Sequence, residues 1–186
     1  YLHGGPGSGS HWLEKFFGDY LEQHFQMIYL DQRGVCRSSS PKDNNYSLER
    51  MILDFEEVRE ALGIGEWLTL GHSFGGILQM AYSSQKNDSI MNSSYRDIAN
   101  WNNDFSAVAL DVKEYWTDYT AKTPKVRVPV LFFYGYTDWM IGPKHYMNIR
   151  FPDMTLWGSD VGHIPFLENR EDLEKAIDYY NAKHGF

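Results

Sequence analysis

The sequence holds one cysteine, Cys36, in 186 residues, which excludes an internal disulfide and any CxxC metal or redox pair. Long apolar runs are missing too. The longest, residues 128–134, is far too short to cross a bilayer. Basic residues are scarce: 17 Lys plus Arg stand against 25 Asp plus Glu, a net charge of -8. That balance argues against nonspecific binding to nucleic acid or to an anionic membrane, since both need basic patches. No HExxH or other close His/carboxylate set occurs, so neither a metal nor a cofactor is expected. No charged-then-apolar leader precedes Leu2, so no signal peptide is expected, and the lack of disulfides suits the cytoplasm. Aromatics, by contrast, make up 16% of the chain and must line a core or an apolar pocket. The rest of the composition, 42% hydrophobic and 23% charged, is ordinary for a globular domain. The length fits one domain with a small insertion.

Short apolar runs alternate with amphipathic stretches, the pattern of an α/β protein with a parallel sheet. Trp12, Leu13, Phe16, Phe17, Tyr20 and Leu21 recur at helical spacing after Ser10, which is placed to cap. Met27-Ile28-Tyr29-Leu30 reads as a buried strand leading into Asp31-Gln32-Arg33-Gly34 and a polar loop. Residues 47–62 form a second predicted helix, stopped by Gly63 and Gly65. Trp67-Leu68-Thr69-Leu70 is the next predicted strand, with a helix over 75–82 close behind. Residues 83–94 are polar and carry only Ser89-Ile90-Met91 as a strand stub. Phe105, Val108, Val112, Tyr115 and Tyr119 share one helical face. Residues 128–134 give the strongest strand signal and 154–157 a shorter one; a last helix starts near Asn169.

Gly71-His72-Ser73-Phe74-Gly75 matches G-x-S-x-G, a turn that lifts a serine to the top of a sheet between a strand and a helix. The turn is crowded, so glycine must flank the serine, and the following helix N-terminus supplies N–H groups to a developing oxyanion. The motif falls between a predicted strand and a predicted helix, which favours catalysis over a plain turn. A serine nucleophile needs a base, and the base an orienting acid, in the chain order serine, acid, histidine. Of the downstream histidines, His163 in Gly162-His163-Ile164-Pro165 follows a strand, whereas His145 and His184 read as surface residues. Asp138 follows the strongest strand and is the preferred acid; Asp160, on the His163 loop, is its rival. In His3-Gly4-Gly5-Pro6-Gly7 no Lys-Ser or Lys-Thr follows, which excludes a Walker-type phosphate loop. The sharper reading pairs the Gly5 N–H with that of Phe74 as an oxyanion hole, and leaves His3 and His72 as structural residues.

Together these motifs resemble the α/β-hydrolase superfamily, and within it the proline iminopeptidase-like serine hydrolases. The resemblance rests on HGGPG at residues 3–7, DQRG at 31–34 with Arg37-Ser38-Ser39, GHSFGG at 71–76, Tyr134-Gly135 with Asp138, and GHIPF at 162–166. It implies a mostly parallel sheet flanked by helices, with core parts at residues 1–93 and 126–186 and a reduced helical cap at 94–125. It further implies Ser73 as nucleophile, His163 as base, Asp138 as acid, and Gly5 and Phe74 as oxyanion donors. Cys36 stands where the pattern has a small glycine. Members of the group carry strands before HGGPG. Here only Tyr1-Leu2 remains of the one leading in, between those at Met27 and Trp67, so a truncated N-terminus is expected, with unpaired backbone groups in a buried layer. In such aminopeptidases cap carboxylates hold the substrate's amino group. Asp104, Asp111, Glu114 and Asp118 are the candidates, although a solvated helix face is the preferred reading of them.

The expected function is acyl hydrolysis on a small peptide or ester. Release of N-terminal proline is what the resemblance implies. Esterase activity on small apolar substrates, in a pocket rich in Trp101, Tyr115, Trp116 and Tyr119, is the alternative. An inactive fragment or binding module of the same fold is the third reading.

Overall fold

The computed structural model describes residues 1–85, 90–92 and 103–186. Four strands, β1 (Thr69–Gly71), β2 (Ile90–Asn92), β3 (Val130–Gly135) and β4 (Met154–Ser159), lie side by side in that order, and every pair is parallel. The sheet continues beyond β1 through isolated bridges: Leu2 pairs in parallel with Gly71 on one side and with Leu30 on the other. The Leu2 N–H donates to the Leu70 carbonyl at 2.8 Å, and the Leu2 carbonyl accepts from His72 N–H at 3.1 Å. The Tyr1 amino group donates to the Ile28 carbonyl at 2.7 Å. Residues 1–2 thus take the central slot that the sequence motifs assign them. Of the strand expected at residues 27–30, the sheet takes up only Leu30, as an isolated bridge. Beside Tyr1 an apolar cleft of about 260 Å³ separates residues 25–30 from 66–70.

Helices cover the sheet. They are α1 (His11–His24), α2 (Leu48–Ala61), α3 (Phe74–Gln85), α4 (Asn103–Asp111), α5 (Pro165–Glu168) and α6 (Arg170–His184). Period-2 alternation along β3 sends Leu131 and Phe133 into a cluster with Phe17 and Leu21 of α1 and Ile177 and Tyr180 of α6. Val130 and Phe132 point the other way, to Ile149 and Phe151. Buried on both faces, this strand reads as a continuous apolar run. Met51 and Phe55 of α2 join Leu78 and Tyr82 of α3 and Leu2 in a further cluster.

Asn169 caps α6, accepting from Asp172 N–H, and Ser47 Oγ caps α2, accepting from Arg50 N–H. Ser10 sits at the start of α1 but does not cap it. Its hydroxyl donates to Asp31 at 2.8 Å and accepts from Arg37 at 2.8 Å, so a tertiary carboxylate displaces the local helix bond. The single helix suggested by residues 105–119 also breaks. α4 ends at Asp111, Val112 is extended (ψ 103°), and the 3-10 turns Lys113–Trp116 and Thr120–Lys125 follow. Tyr115 decides this: its ring packs edge-on against Phe74 at 4.9 Å and its hydroxyl bonds the Tyr46 carbonyl, a tertiary fit that overrides helical spacing.

α3 approaches the central slot so closely that a Cβ on Gly75 would collide with the Leu2 carbonyl oxygen, whereas one on Gly65 meets nothing within 4 Å. Gly75→Ala is therefore expected to lower stability by about 3 kcal/mol or more, and Gly65→Ala to leave it within about 0.5 kcal/mol. Urea denaturation of the two variants against the parent checks the contrast.

Candidate active site

Ser73 stands in the turn between β1 and α3 with φ 55°, in the left-handed region, a strain of about 1–3 kcal/mol for a residue with a side chain. The surrounding contacts hold it there. A Cβ on Gly71 would lie 2.6 Å from the Gly75 carbonyl oxygen, so both glycines of the motif are required by close approach rather than by their own dihedrals. Gly75 N–H and Gly76 N–H donate to the His72 and Ser73 carbonyls at 2.8 Å each, closing the turn. Ser73 is partly exposed between buried His72 and Phe74, and the Phe74 N–H opens α3, where the helix dipole is positive.

Beyond β3 and β4, at the same C-terminal edge of the sheet, stand Asp138 and His163. His163 Nδ1 lies 2.9 Å from Asp138 Oδ2, with the side chains 8% and 3% exposed. The other carboxylate oxygen of Asp138 accepts from Met140 and Ile141 N–H at 3.1 and 3.3 Å. An ionised carboxylate only accepts, so Nδ1 is the donor of this pair and Nε2 lies on the opposite side of the ring, away from Asp138. The His163 ring lies 6.1 Å from that of His72, the residue before Ser73. Backbone contacts fix the spacing of the acid and base loops. Tyr136 N–H bonds the Ser159 carbonyl at 2.9 Å, Thr137 N–H bonds that of Val161 at 3.1 Å, and a Cβ on Gly135 would strike the Val161 carbonyl oxygen.

The HGGPG loop leaves the sheet from Leu2, next to the strand that ends in Ser73. Gly5, at φ 121°, is partly exposed where its neighbours are buried. His3 braces this loop against DQRG: Nδ1 bonds the Gly4 carbonyl at 2.9 Å, Nε2 accepts from Gln32 N–H at 3.1 Å, and the Gln32 amide donates to the His3 carbonyl. Burial lowers the His3 pKa to about 4, against smaller opposing pulls from the Gly4 carbonyl and Asp31. Burial also lowers His72 well below the usual imidazole value, aided by His163 and His3. At Asp31 burial works toward a higher pKa, but Arg37 and Ser10 outweigh it and hold the carboxyl down at about 2. Cys36 adopts φ 44°, which explains why the pattern has glycine there. Its thiol is pushed up by burial and by Asp31, which disfavours the reactive thiolate.

Other candidates fall away from this centre. Asp160 is exposed. His145 bonds the Gly142 carbonyl in a 3-10 turn, and His184, expected at the surface, is half-buried against Tyr180. Asp111, Glu114 and Asp118 are exposed, and Asp118 accepts from Thr120. Tyr115 and Tyr119 are buried in the core instead of lining an open pocket, and Trp116 is exposed. Trp101 lies outside the described residues, as does the Asp104 side chain. One contact at the site went unread in the sequence: Glu168, on α5, accepts from Gly162 and Ile164 N–H. Its only sequence signal is an acid five residues after His163 on a short helix opened by Pro165.

The model of the alpha/beta hydrolase fold family matches residues 1–93, half of the chain, and the chain belongs to that family. Within it the chain is similar to proline iminopeptidases over part of their length. It is 32% identical over 131 residues to the proline iminopeptidase of Neisseria gonorrhoeae, a match covering 65% of this chain and 41% of that relative's length. The chain thus spans about two fifths of the curated relative it matches. Among solved structures, the proline iminopeptidase-related protein of Thermus thermophilus superposes with a TM-score of 0.79 at 18% identity, over 97% of this chain and 87% of that one. A hydrolase from Pseudomonas aeruginosa gives 0.80 at 17% identity, over 96% and 87%. These likenesses show the fold.

Because His3 and His72 are both held neutral, the unfolded chain binds more protons than the folded one between about pH 4 and 6.5. Stability rises with pH across that window and falls on acidification, each histidine contributing up to about 1.4 kcal/mol per pH unit. Urea midpoints should decline from about pH 7 to about pH 4.5, and less steeply for His3→Gln than for the parent.

Proposed function

We propose that the chain carries the catalytic centre of a serine hydrolase with a Ser73–His163–Asp138 triad. The observation that carries this reading is the buried Asp138–His163 pair at 2.9 Å, at the sheet edge where Ser73 rises with φ 55°. In the reaction, Ser73 Oγ attacks an acyl carbonyl and His163 Nε2 takes its proton. Asp138 holds the tautomer and stabilises the imidazolium without itself becoming protonated. The N–H groups of Gly5 and Phe74 meet the oxyanion. His163 then protonates the leaving group, and a water activated by the same imidazole releases the acyl group from Ser73.

For the substrate, likeness to proline iminopeptidases supports release of N-terminal residues, proline first, from small peptides. A second reading, hydrolysis of small apolar esters, is favoured by the carboxylates at 111, 114 and 118. Among the described residues these are the cap acids suited to hold a substrate amine, and all three face solvent.

A fluorophosphonate probe should label Ser73 and no other residue; absence of labelling returns the chain to the binding-module or inactive-fragment reading. Ser73→Ala and His163→Ala should each cost roughly 10⁶ in turnover, and the double variant little more, since the triad acts as a unit. Additive losses would sink the assignment. Turnover of a proline arylamide against a short acyl ester separates the two substrate readings: a requirement for the free amine supports the peptidase, indifference to it the esterase.

A further inference from the structure

Glu168 lies outside the triad and its side chain is exposed, yet it makes two of the contacts that define the His163 loop. One carboxylate oxygen accepts from the N–H of Gly162 and the other from the N–H of Ile164 at 2.9 Å. These are the peptide N–H groups on either side of His163. The carboxylate therefore spans the residue that carries the imidazole and bonds both ends of its short arc. α5 makes this possible: Glu168 N–H donates to the Ile164 carbonyl at 2.9 Å, folding the chain back on itself within one turn. The space is filled, since a Cβ on Gly162 would lie 3.1 and 3.3 Å from the two carboxylate oxygens.

We propose that Glu168 is a positioning residue, which sets the direction of the His163 imidazole by clamping the N–H groups before and after it. The proposal rests on the serine-hydrolase reading for its catalytic meaning, but the clamp itself acts on the Asp138–His163 hydrogen bond. Chemistry requires a carboxylate here. Two converging donors need two acceptors, and an amide offers one oxygen together with an NH₂ that opposes the second N–H. Exposure sharpens the distinction between support and positioning. If the carboxylate is removed, water reaches both N–H groups and satisfies them, so global stability changes little. What is lost is the restraint on rotation of the loop, and misplacing a catalytic group by about 1 Å costs up to about a hundredfold in rate.

The test uses Glu168→Gln, Glu168→Ala and Gly162→Ala, the last of which adds a methyl 3.1 and 3.3 Å from the two carboxylate oxygens while leaving the carboxylate in the chain. Two readouts are taken beside thermal melting: the rate of Ser73 labelling by a fluorophosphonate, and the downfield proton resonance of the Asp138–His163 hydrogen bond. The expected result is labelling slowed by between about tenfold and a hundredfold in all three variants, with the resonance shifted or broadened and the melting temperature nearly unchanged. On an ester substrate the loss should appear in kcat with KM retained. A resonance identical to the parent's in every variant overturns the proposal, whatever happens to the rate. If the parent itself fails to label, the serine-hydrolase reading has failed instead, and the resonance alone decides whether the clamp positions His163.

Discussion

Between Leu30 and Gly71 there is room for one extended chain, and the peptide unit of Leu2 fills it. Its N–H and carbonyl are both engaged by the segment that runs into Ser73, and the carbonyl oxygen sits where any side chain on Gly75 would have to go. From this one residue two loops diverge: HGGPG continues from Leu2 itself, and the serine turn leaves from its neighbour. Their separation is therefore a sheet spacing of about 4.8 Å at the root. The placement of the HGGPG loop relative to Ser73 is inherited from that pairing.

The remaining parts follow from parallel topology. Each crossover returns the chain to the same end of the sheet, so residues just past Gly71, Gly135 and Ser159 gather at one edge although dozens of positions separate them in sequence. The electrostatics match. The buried carboxylates Asp31 and Asp138 have their oxygens assigned to guanidinium, hydroxyl and backbone N–H partners and, at Asp138 Oδ2, to the His163 imidazole. The histidines with structural work, His3 and His72, are neutral and buried. His163 stands apart from them, with the Asp138 carboxylate bonded to its Nδ1.

Much of this was legible in the residues. GHSFG falls between a strand and a helix, Asn169 caps the last helix where it begins, and the doubly buried β3 announces itself as the strongest apolar run. The failures share a cause, long-range contacts overruling local pattern. Ser10 is a good cap by type, but Asp31, twenty-one residues away, takes its hydroxyl. The helical face from Phe105 to Tyr119 is real as hydrophobic spacing, yet Tyr115 has to turn under Phe74, and the helix breaks to let it. Met27 to Leu30 has the composition of a strand but joins the sheet through Leu30 alone. Glu168 carries no pattern of its own. An acid on a short helix looks like surface until the loop it faces is in place.

The contact between Gly135 and the Val161 carbonyl, with the two main-chain bonds beside it, makes the distance from Asp138 to His163 a property of the backbone. Exchanges among the core side chains can tighten or loosen the domain and leave that interval as it is. Around it the side chains of Trp139, Met140 and Ile141 stand exposed, while the Met140 and Ile141 N–H groups bond the Asp138 carboxylate. A substitution among those exposed side chains alters the surface around the pair, whereas a side chain at Gly135 would move the backbone that spaces the pair itself.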